Sequence, residues 1–176
     1  QLMKIKKKIN IYFSVDELSH YMYHLLKYLD KRLKRYKQIN FKVISTEFLN
    51  KNFYKENNEF YNNIIWIRPQ KKYSWIDLNL ETPDIFFQSG WSKIPFNHFS
   101  KITKQENKNS KIILLSDNSY QNRRIKQIIG RIYFRLFLKK NFDFVWVPGS
   151  SGKKLMMKFG FEKKTIFTKM YCSLNN

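Results

Sequence analysis

The sequence predicts an α/β fold: a Rossmann-like, mostly parallel β-sheet with helices on both faces. Short apolar runs rich in Ile, Phe and Val alternate along the chain with helical patterns, and this order is typical of a parallel sheet with crossover helices. The runs are continuous, which indicates strands buried on both faces. With 176 residues and 43% hydrophobic composition, the chain has the length and apolar content of one domain, which we place at residues 1–176.

Seven runs have the length and composition of strands. They occupy residues 9–13, 41–45, 63–67, 84–88, 111–116, 144–147 and 165–168. Each is rich in β-branched or aromatic residues and is bounded by polar or turn-forming residues. The polar stretches over 50–62, 69–83 and 103–110 are typical of loops or short surface helices.

The first helix is predicted to begin after Ser14, which would act as its N-cap, with Glu17 completing a capping box. Its apolar stripe is expected to face the sheet and consists of Leu18, Met22, Leu25, Leu29 and Leu33. The cationic tail of this helix, residues 27–37, suits the carboxyl end of a helix dipole.

A second helix is predicted over residues 121–140. Its buried stripe is expected to comprise Ile125, Ile128, Ile129, Ile132 and Leu136. The same segment carries seven cations and no acidic residue: Arg123, Arg124, Lys126, Arg131, Arg135, Lys139 and Lys140. A third helix over 151–159 is predicted to end at Gly160, a residue suited to the left-handed position after a helix.

The charge balance is strongly basic. The chain has 34 Lys and Arg residues against 13 Asp and Glu, a formal net charge of +21. Three explanations stay open: binding to nucleic acid, contact with an anionic membrane surface, or a composition bias without a partner. The order of strands and helices is not that of a known nucleic-acid-binding module, which weighs against nucleic acid.

Several other classes are excluded by composition. A lone cysteine, Cys172, cannot form an internal disulfide. His20 and His24 have a spacing that could bind a metal, but no acidic or cysteine partner accompanies them, so we expect no metal site. Lys or Arg interrupts the long apolar runs, and no membrane span is expected. We expect a cytoplasmic location, with peripheral attachment to the inner face of the cytoplasmic membrane left open.

Candidate site residues are those that follow strands, because open α/β sheets bind ligands at the carboxyl ends of their strands. Asp117 and Asn118 follow the fifth strand. A carboxylate there could accept a hydrogen bond from a sugar hydroxyl or act as a base; alternatively, either residue caps the next helix. Gly90, after the fourth strand, either lets a ligand approach the backbone or serves a turn with positive φ. The sequence has neither a GxGxxG nor a Walker motif.

Three successive segments carry a family resemblance. They are PDIFFQSGW at 83–91, KIILLSDNSYQNRR at 111–124 and FDFVWVPGSSGKKLMMKFGFEKKTIFTKMY at 142–171. In order and spacing they resemble the amino-terminal half of family 4 (group 1) glycosyltransferases, which have the GT-B fold. The resemblance covers about residues 83–172.

The resemblance implies a retaining enzyme that transfers a sugar from a nucleotide-sugar donor to a glycan or lipid-linked acceptor, as in polysaccharide or glycoconjugate biosynthesis. The chain would be the acceptor-binding domain. A carboxyl-terminal donor-binding domain, expected to lie outside this chain, would hold the nucleotide sugar. We expect the chain to bind no cofactor itself and to be inactive without that partner domain, because catalysis in this fold needs groups from both domains.

Carried over by position, the resemblance implies that Asp117 is the catalytic residue near the acceptor hydroxyl. The acceptor-binding residues would be Ser14, Val15, Asp16, Gly90, Trp91 and Asn118. The first three would form the loop after the first strand, where the glycines common in the family are missing. Gly90 and Trp91 would form a wall of the acceptor cleft.

Basic residues of the second helix would hold the enzyme on an anionic membrane in which its acceptor is embedded, together with the tail of the first helix. They are Arg123, Arg124, Arg131, Arg135, Lys139 and Lys140. The alternative function is a non-catalytic basic module that binds nucleic acid or docks to a separately encoded donor domain.

Overall fold

The computed structural model describes residues 8–47, 59–117 and 125–169. Its strands are β1 Ile9–Glu17, β2 Ile39–Glu47, β3 Ile64–Trp66, β4 Ile85–Ser89, β5 Lys111–Leu115, β6 Phe144–Trp146 and β7 Ile166–Phe167. They form one sheet in the order β3-β2-β1-β4-β5-β6-β7, in which all described neighbours are parallel. The seven predicted strands and the Rossmann-like α/β class are confirmed.

Four helices longer than one turn lie in the described residues. They are α1 His20–Leu33, α2 Ile94–Glu106, α3 Ile125–Tyr133 and α4 Ser150–Lys158. A π-helical turn, Phe134–Leu138, and a 3₁₀ turn, Lys139–Asn141, continue α3. Within the described part of the chain, no helix has the length and apolar character needed to cross a membrane.

Side chains of each strand alternate between two apolar cores, one on each face of the sheet, as the period of a strand requires. In β1, Tyr12 joins the core beneath α2 and α4, whereas its neighbour Phe13 joins the core beneath α1. Phe86 and Phe87 divide in the same way in β4. Helices therefore cover both faces, with α1 on one face and α2, α4 and the turn after α3 on the other.

The predicted start of the first helix is wrong. β1 continues to Glu17 and pairs with β2 as far as Glu17 and Glu47, so the hydrogen bonds of the sheet replace the predicted capping box. Ser14 consequently lies inside a strand. The N-cap of α1 is Ser19, whose hydroxyl oxygen accepts a 3.3 Å hydrogen bond from the backbone N–H of Met22.

The predicted buried stripe of the second helix is also wrong. Four of its members have described side chains, which expose 45–66% of their surface: Ile128, Ile129, Ile132 and Leu136. Phe134 and Leu138 are buried instead. Gly130 faces the protein, since a Cβ there would lie 3.0 Å from the ring of Trp91. The side of the helix that bears Gly130 and Phe134 thus packs against the aromatic core, and the isoleucines are exposed to solvent.

α2 and the end of α4 differ in how well the sequence predicts them. α2 is not predicted by the apolar pattern, because Ser100 and Thr103 are among its buried residues. The end of α4 follows the prediction: Gly160 has a φ of +94°, the left-handed conformation that glycine adopts after a helix.

Candidate ligand site at the carboxyl edge of the sheet

The carboxyl edge of the sheet contains a cavity of about 540 Å³. It lies at the ends of β1, β4, β5 and β6, beneath α1. The order of the strands reverses here, because the chain runs from β1 outward to β2 and β3 and then returns to β4 on the other side of β1. Open α/β sheets bind their ligands in the crevice at such a reversal.

One part of the cavity is apolar. α1 contributes Met22, Leu25, Leu26 and Leu29. The sheet contributes Phe13, Val15, Leu115 and Trp146. The apolar stripe of α1 therefore faces the sheet, as predicted, but the two do not close on each other at this edge. Tyr21 and Tyr28 add half-exposed rings to the lining.

The polar part of the cavity concentrates negative charge. Three of the chain's 13 acidic residues line it: Asp16, Glu17 and Asp117. Two lysines, Lys93 and Lys169, line it as well. The cavity is thus a local site of carboxylates on a protein whose net charge is +21.

The carboxylates Asp16 and Asp117 differ in their surroundings. The Asp16 carboxylate lies 2.8 Å from Nζ of Lys93 and accepts a 2.7 Å hydrogen bond from the hydroxyl of Thr46. Asp117 is exposed, just beyond the end of β5. Carboxylate oxygens accept hydrogen bonds from several donors at once, so both residues can still receive hydroxyl groups of a ligand.

The loop after β4 is held by the buried amide of Gln88. Its Nε2 donates hydrogen bonds of 2.8 Å to the carbonyl of Gly90 and 2.7 Å to Oδ1 of Asn97. Its Oε1 accepts a hydrogen bond from the hydroxyl of Ser100. Asn97 in turn donates a 2.8 Å hydrogen bond to the carbonyl of Trp91. These bonds fix the loop between the cavity and α3.

Gly90 lines the cavity with a backbone conformation that favours glycine. Its φ is +66°, and its N–H donates a 2.9 Å hydrogen bond to the carbonyl of Leu115. A Cβ at this position would meet no protein atom within 4 Å. The positive φ, and not crowding by the protein, therefore accounts for the glycine.

The predicted ligand-contacting residues separate into three groups. Val15, Asp16, Gly90 and Asp117 line the cavity. Asn118 lies outside the described residues. Ser14 and Trp91 are described, but they do not line the cavity.

Ser14 connects two strands. It is fully buried within β1, where its hydroxyl donates to the carbonyl of Phe87 and accepts from the N–H of Ser89, both at 3.2 Å. The predicted loop position of Ser14, Val15 and Asp16 is therefore wrong, because β1 extends to Glu17.

Trp91 packs away from the cavity. Its ring centroid lies 5.8 Å from those of Phe134 and Phe159, and its edge faces Gly130. The structure therefore gives Trp91 a place beneath α3, in contrast to the predicted cleft wall.

The predicted membrane-facing cations are not equivalent. Arg123 and Arg124 lie outside the described residues. Arg135 and Lys140 are exposed, whereas Arg131 is half-buried. Lys139 is half-buried too: its Nζ lies 4.5 Å from the centroid of the Phe161 ring, and burial lowers the pKa of its amine below the usual range. Lys139 is thus engaged with the protein and is a poor surface cation.

Sequence reasoning missed Glu17, Lys93 and Lys169. Glu17 ends β1, so a correct length for this strand would have identified it. Lys93 follows β4 closely and could have been included by the same rule of strand ends. Lys169 follows the short β7, and no sequence signal points to it.

The two histidines of α1 lie close together. Their Nε2 atoms are 3.1 Å apart on an exposed surface. Among residues 8–47, 59–117 and 125–169, no group of three or more His, Cys, Asp or Glu side chains could hold a metal ion.

The chain folds as a single GT-B-like domain. The solved structures that resemble it include two of GT-B type. One is UDP-N-acetylglucosamine 2-epimerase, with a TM-score of 0.56 and 13% identity over 92% of this chain and 48% of the other. The second is an alpha-glucosyltransferase in complex with UDP and a 13-mer DNA containing a HMU base, with a TM-score of 0.55 and 11% identity over 92% of this chain and 42% of the other. This chain spans about half the length of these structures. No family profile and no curated protein sequence matches it.

Proposed function

We propose that this chain is the acceptor-binding domain of a glycosyltransferase, which transfers a sugar from a nucleotide-sugar donor to an acceptor hydroxyl. The observation that carries the proposal is the carboxylate-bearing cavity at the strand-order reversal of a GT-B-like domain. The two similar structures, one an alpha-glucosyltransferase with UDP and one a UDP-N-acetylglucosamine 2-epimerase, support this class of chemistry. That the enzyme is retaining and belongs to family 4 is proposed from the sequence resemblance alone.

The charge of the cavity favours an acceptor over a nucleotide. Asp16, Glu17 and Asp117 would repel the phosphates of a donor, whereas hydroxyl groups donate readily to carboxylates. Lys93 is already paired with Asp16 at 2.8 Å, which reduces its capacity to bind phosphate. The nucleotide sugar is therefore assigned to a second domain, and closure of that domain over the cavity would complete the active site.

Asp117 is the proposed catalytic residue. It is exposed at the end of β5 and lines the cavity, so an acceptor hydroxyl bound there can donate a hydrogen bond to it. A carboxylate in this position makes the hydroxyl oxygen more nucleophilic and can take up its proton, an effect worth roughly 10²- to 10⁴-fold in rate. Asp16, held by Lys93 and Thr46, would orient a second hydroxyl of the same acceptor.

The apolar part of the cavity indicates an acceptor with a hydrocarbon or aromatic group. Leu25 and Leu29 of α1 lie across the cavity from Leu115 and Trp146 of the sheet. A plain glycan would place hydroxyl groups against these side chains without hydrogen-bond partners, which costs free energy. A lipid-linked or otherwise amphiphilic acceptor would bury its apolar part there and leave its sugar at the carboxylates.

Equilibrium binding of matched glycosides tests the proposal. The octyl and methyl glycosides of glucose, galactose and N-acetylglucosamine would be titrated into the protein by calorimetry, below the micellar concentration. We expect at least one octyl glycoside to bind about tenfold or more tightly than its methyl counterpart, because burial of each CH₂ contributes about 0.8 kcal/mol. Asp117→Asn should weaken the binding of that glycoside about tenfold, the loss expected for a hydrogen bond to a charged group.

Two further variants distinguish the cavity from nonspecific binding. Leu25→Gln should reduce the difference in affinity between the octyl and methyl glycosides. Ile76→Gln introduces the same polar group at an isoleucine that is 82% exposed and lies outside the cavity, and it should change neither affinity. Equal affinity of octyl and methyl glycosides, or equal effects of the two variants, would show that the cavity is not an amphiphile site.

A further inference from the structure

An exposed apolar stripe runs along α3 and the π-helical turn that follows it. Six bulky side chains form this stripe, and each exposes between 45% and 66% of its surface: Ile128, Ile129, Ile132, Tyr133, Leu136 and Phe137. Their spacing repeats every four residues in two adjacent rows, which places them on one side of a helix. We call this surface the α3 stripe.

The exposure of the α3 stripe follows from the packing of the opposite side of the helix. Phe134 is fully buried there, with its ring centroid 5.7 Å from that of Phe142 and 5.2 Å from that of Phe159. Gly130 lies against Trp91 so closely that a Cβ would be 3.0 Å from the indole ring. A rotation that buried the isoleucines would remove Phe134 from this aromatic cluster, so the helix is fixed with the stripe outward.

Cations accompany the α3 stripe. Arg131 and Arg135 occur one turn apart on the same helical segment, and the exposed Lys140 follows its end. The stem of Arg135 lies beside Gly160, where a Cβ would be 3.5 Å from its Cγ. Residues 121–140 contain seven Lys and Arg and no acidic residue. The described surface therefore combines aliphatic groups with the cations Arg131, Arg135 and Lys140.

We propose that the α3 stripe docks this protein on an anionic lipid bilayer. Isoleucine and leucine side chains lose their contact with water in the acyl region, while arginine and lysine meet the headgroups, which is the arrangement of a helix lying in the membrane interface. Nucleic acid fits less well, because its bases stack on aromatic rings and four of the six side chains are aliphatic. A second copy of the chain would bring another net charge of +21 to the same contact, which opposes association.

The position of the stripe relates it to the cavity. Gly90 lines the cavity, and the next residue, Trp91, packs against Gly130 of α3. The helix that bears the stripe thus adjoins the carboxyl edge of the sheet, where an amphiphilic acceptor could enter from the bilayer; this link alone depends on the proposed function. The α1 tail is not part of this proposed contact, because α1 covers the other face of the sheet; its predicted contribution to membrane binding stays a prediction.

Vesicle sedimentation of the 176-residue chain tests the docking. Vesicles of phosphatidylcholine alone are compared with vesicles that also contain phosphatidylglycerol. We expect binding to the anionic vesicles to exceed binding to the neutral ones and to fall as salt is added. Ile132→Ser should lower the partition coefficient about tenfold, and Arg131→Gln should lower it about fivefold on anionic vesicles.

Matched controls use the same substitutions elsewhere. Ile76→Ser changes an isoleucine that is 82% exposed, and Lys101→Gln changes an exposed cation of α2; neither should alter the partition coefficient. Urea unfolding of each variant confirms that the fold is kept.

Several results would overturn the docking proposal. They are equal binding to both kinds of vesicle, absence of binding, or an equal effect of Ile76→Ser and Ile132→Ser. Binding of a DNA or RNA oligonucleotide, or self-association, that Ile132→Ser abolishes while vesicle binding is unchanged would also overturn it. None of these measurements involves glycosides or sugar transfer, so the outcome is separate from that of the proposed function.

Discussion

Replacement of Gln88 by methionine probes the polar network that joins the cavity to the helix bearing the α3 stripe. Gln88 is fully buried and makes three side-chain hydrogen bonds, to the carbonyl of Gly90, to Oδ1 of Asn97 and from the hydroxyl of Ser100. Methionine has a similar length and no amide, so it fills the space and removes all three. The variant isolates the polar contribution from the packing contribution.

The size of the effect follows from these three bonds. Each contributes about 1 kcal/mol net, and a buried group that loses its partner costs about 1–3 kcal/mol. We expect Gln88→Met to lower the free energy of unfolding by about 2–4 kcal/mol, which corresponds to a fall in Tm of about 5–15 °C for a chain of this length. The loop at Gly90 and Trp91 should also loosen, because its carbonyl partners depend on the network.

Urea denaturation followed by tryptophan fluorescence measures the loss. Gln105→Met is the matched control, since Gln105 is exposed on α2 and the same substitution there should change stability by less than about 0.5 kcal/mol. A Gln88→Met protein as stable as wild type would refute the inference that this amide fixes the loop.

Three other predictions follow from the same structure. Ser14→Ala should lower stability by about 1–2 kcal/mol through loss of the bridge between β1 and β4, with glycoside affinity unchanged; a selective loss of affinity would restore Ser14 to the site. Phe134→Ala should lower stability by about 3–5 kcal/mol in urea denaturation, and a loss below about 1 kcal/mol would contradict the aromatic anchoring of the α3 region. Burial lowers the pKa of His98, aided by Lys72 and Lys101, so the unfolded chain takes up this proton at a higher pH and stability falls as the pH drops below about 6.5. Thermal melts should show a smaller acid-induced fall in His98→Gln, and identical pH profiles would contradict this.

The strands were predictable because their burial on both faces makes them continuous apolar runs. Their lengths were not, since pairing decides them: β1 passes Ser14 because β2 offers partners as far as Glu47. α2 was hidden by polar residues in its buried face. The hydroxyl of Ser100 donates a hydrogen bond to Gln88, and Thr103 accepts a 3.0 Å hydrogen bond from the indole of Trp75. Both partners lie outside α2, so the local sequence does not reveal them.

The orientation of α3 shows a different limit. Apolar spacing assigned Ile132 and its neighbours to the core, because aliphatic residues are usually buried. The structure buries Phe134 instead, among rings contributed by Trp91, Phe142 and Phe159. These rings come from separate segments of the chain. The local apolar pattern therefore does not show that they form a cluster into which Phe134 packs.

The candidate site was predictable where it depends on strand ends. Asp117 and Gly90 follow strands and line the cavity. The apolar part of the cavity was not predictable, because the spacing of Leu25 and Leu29 indicates a side facing the sheet but gives no distance between helix and sheet. The resemblance left a glycan and a lipid-linked acceptor open, and the apolar lining found in the structure is what favours the lipid-linked one.

Release of nucleotide tests the central claim most directly. The complete protein, as its gene encodes it, would be assayed with a panel of nucleotide sugars, with and without the octyl glycosides as acceptors. We expect release that requires an acceptor, that falls about 100-fold or more in Asp117→Asn, and that is unchanged in Glu162→Gln, an exposed carboxylate paired with Lys164 outside the cavity. Acceptor-dependent release that is unaffected by Asp117→Asn, or no release with any donor, would contradict the assignment of this cavity to sugar transfer.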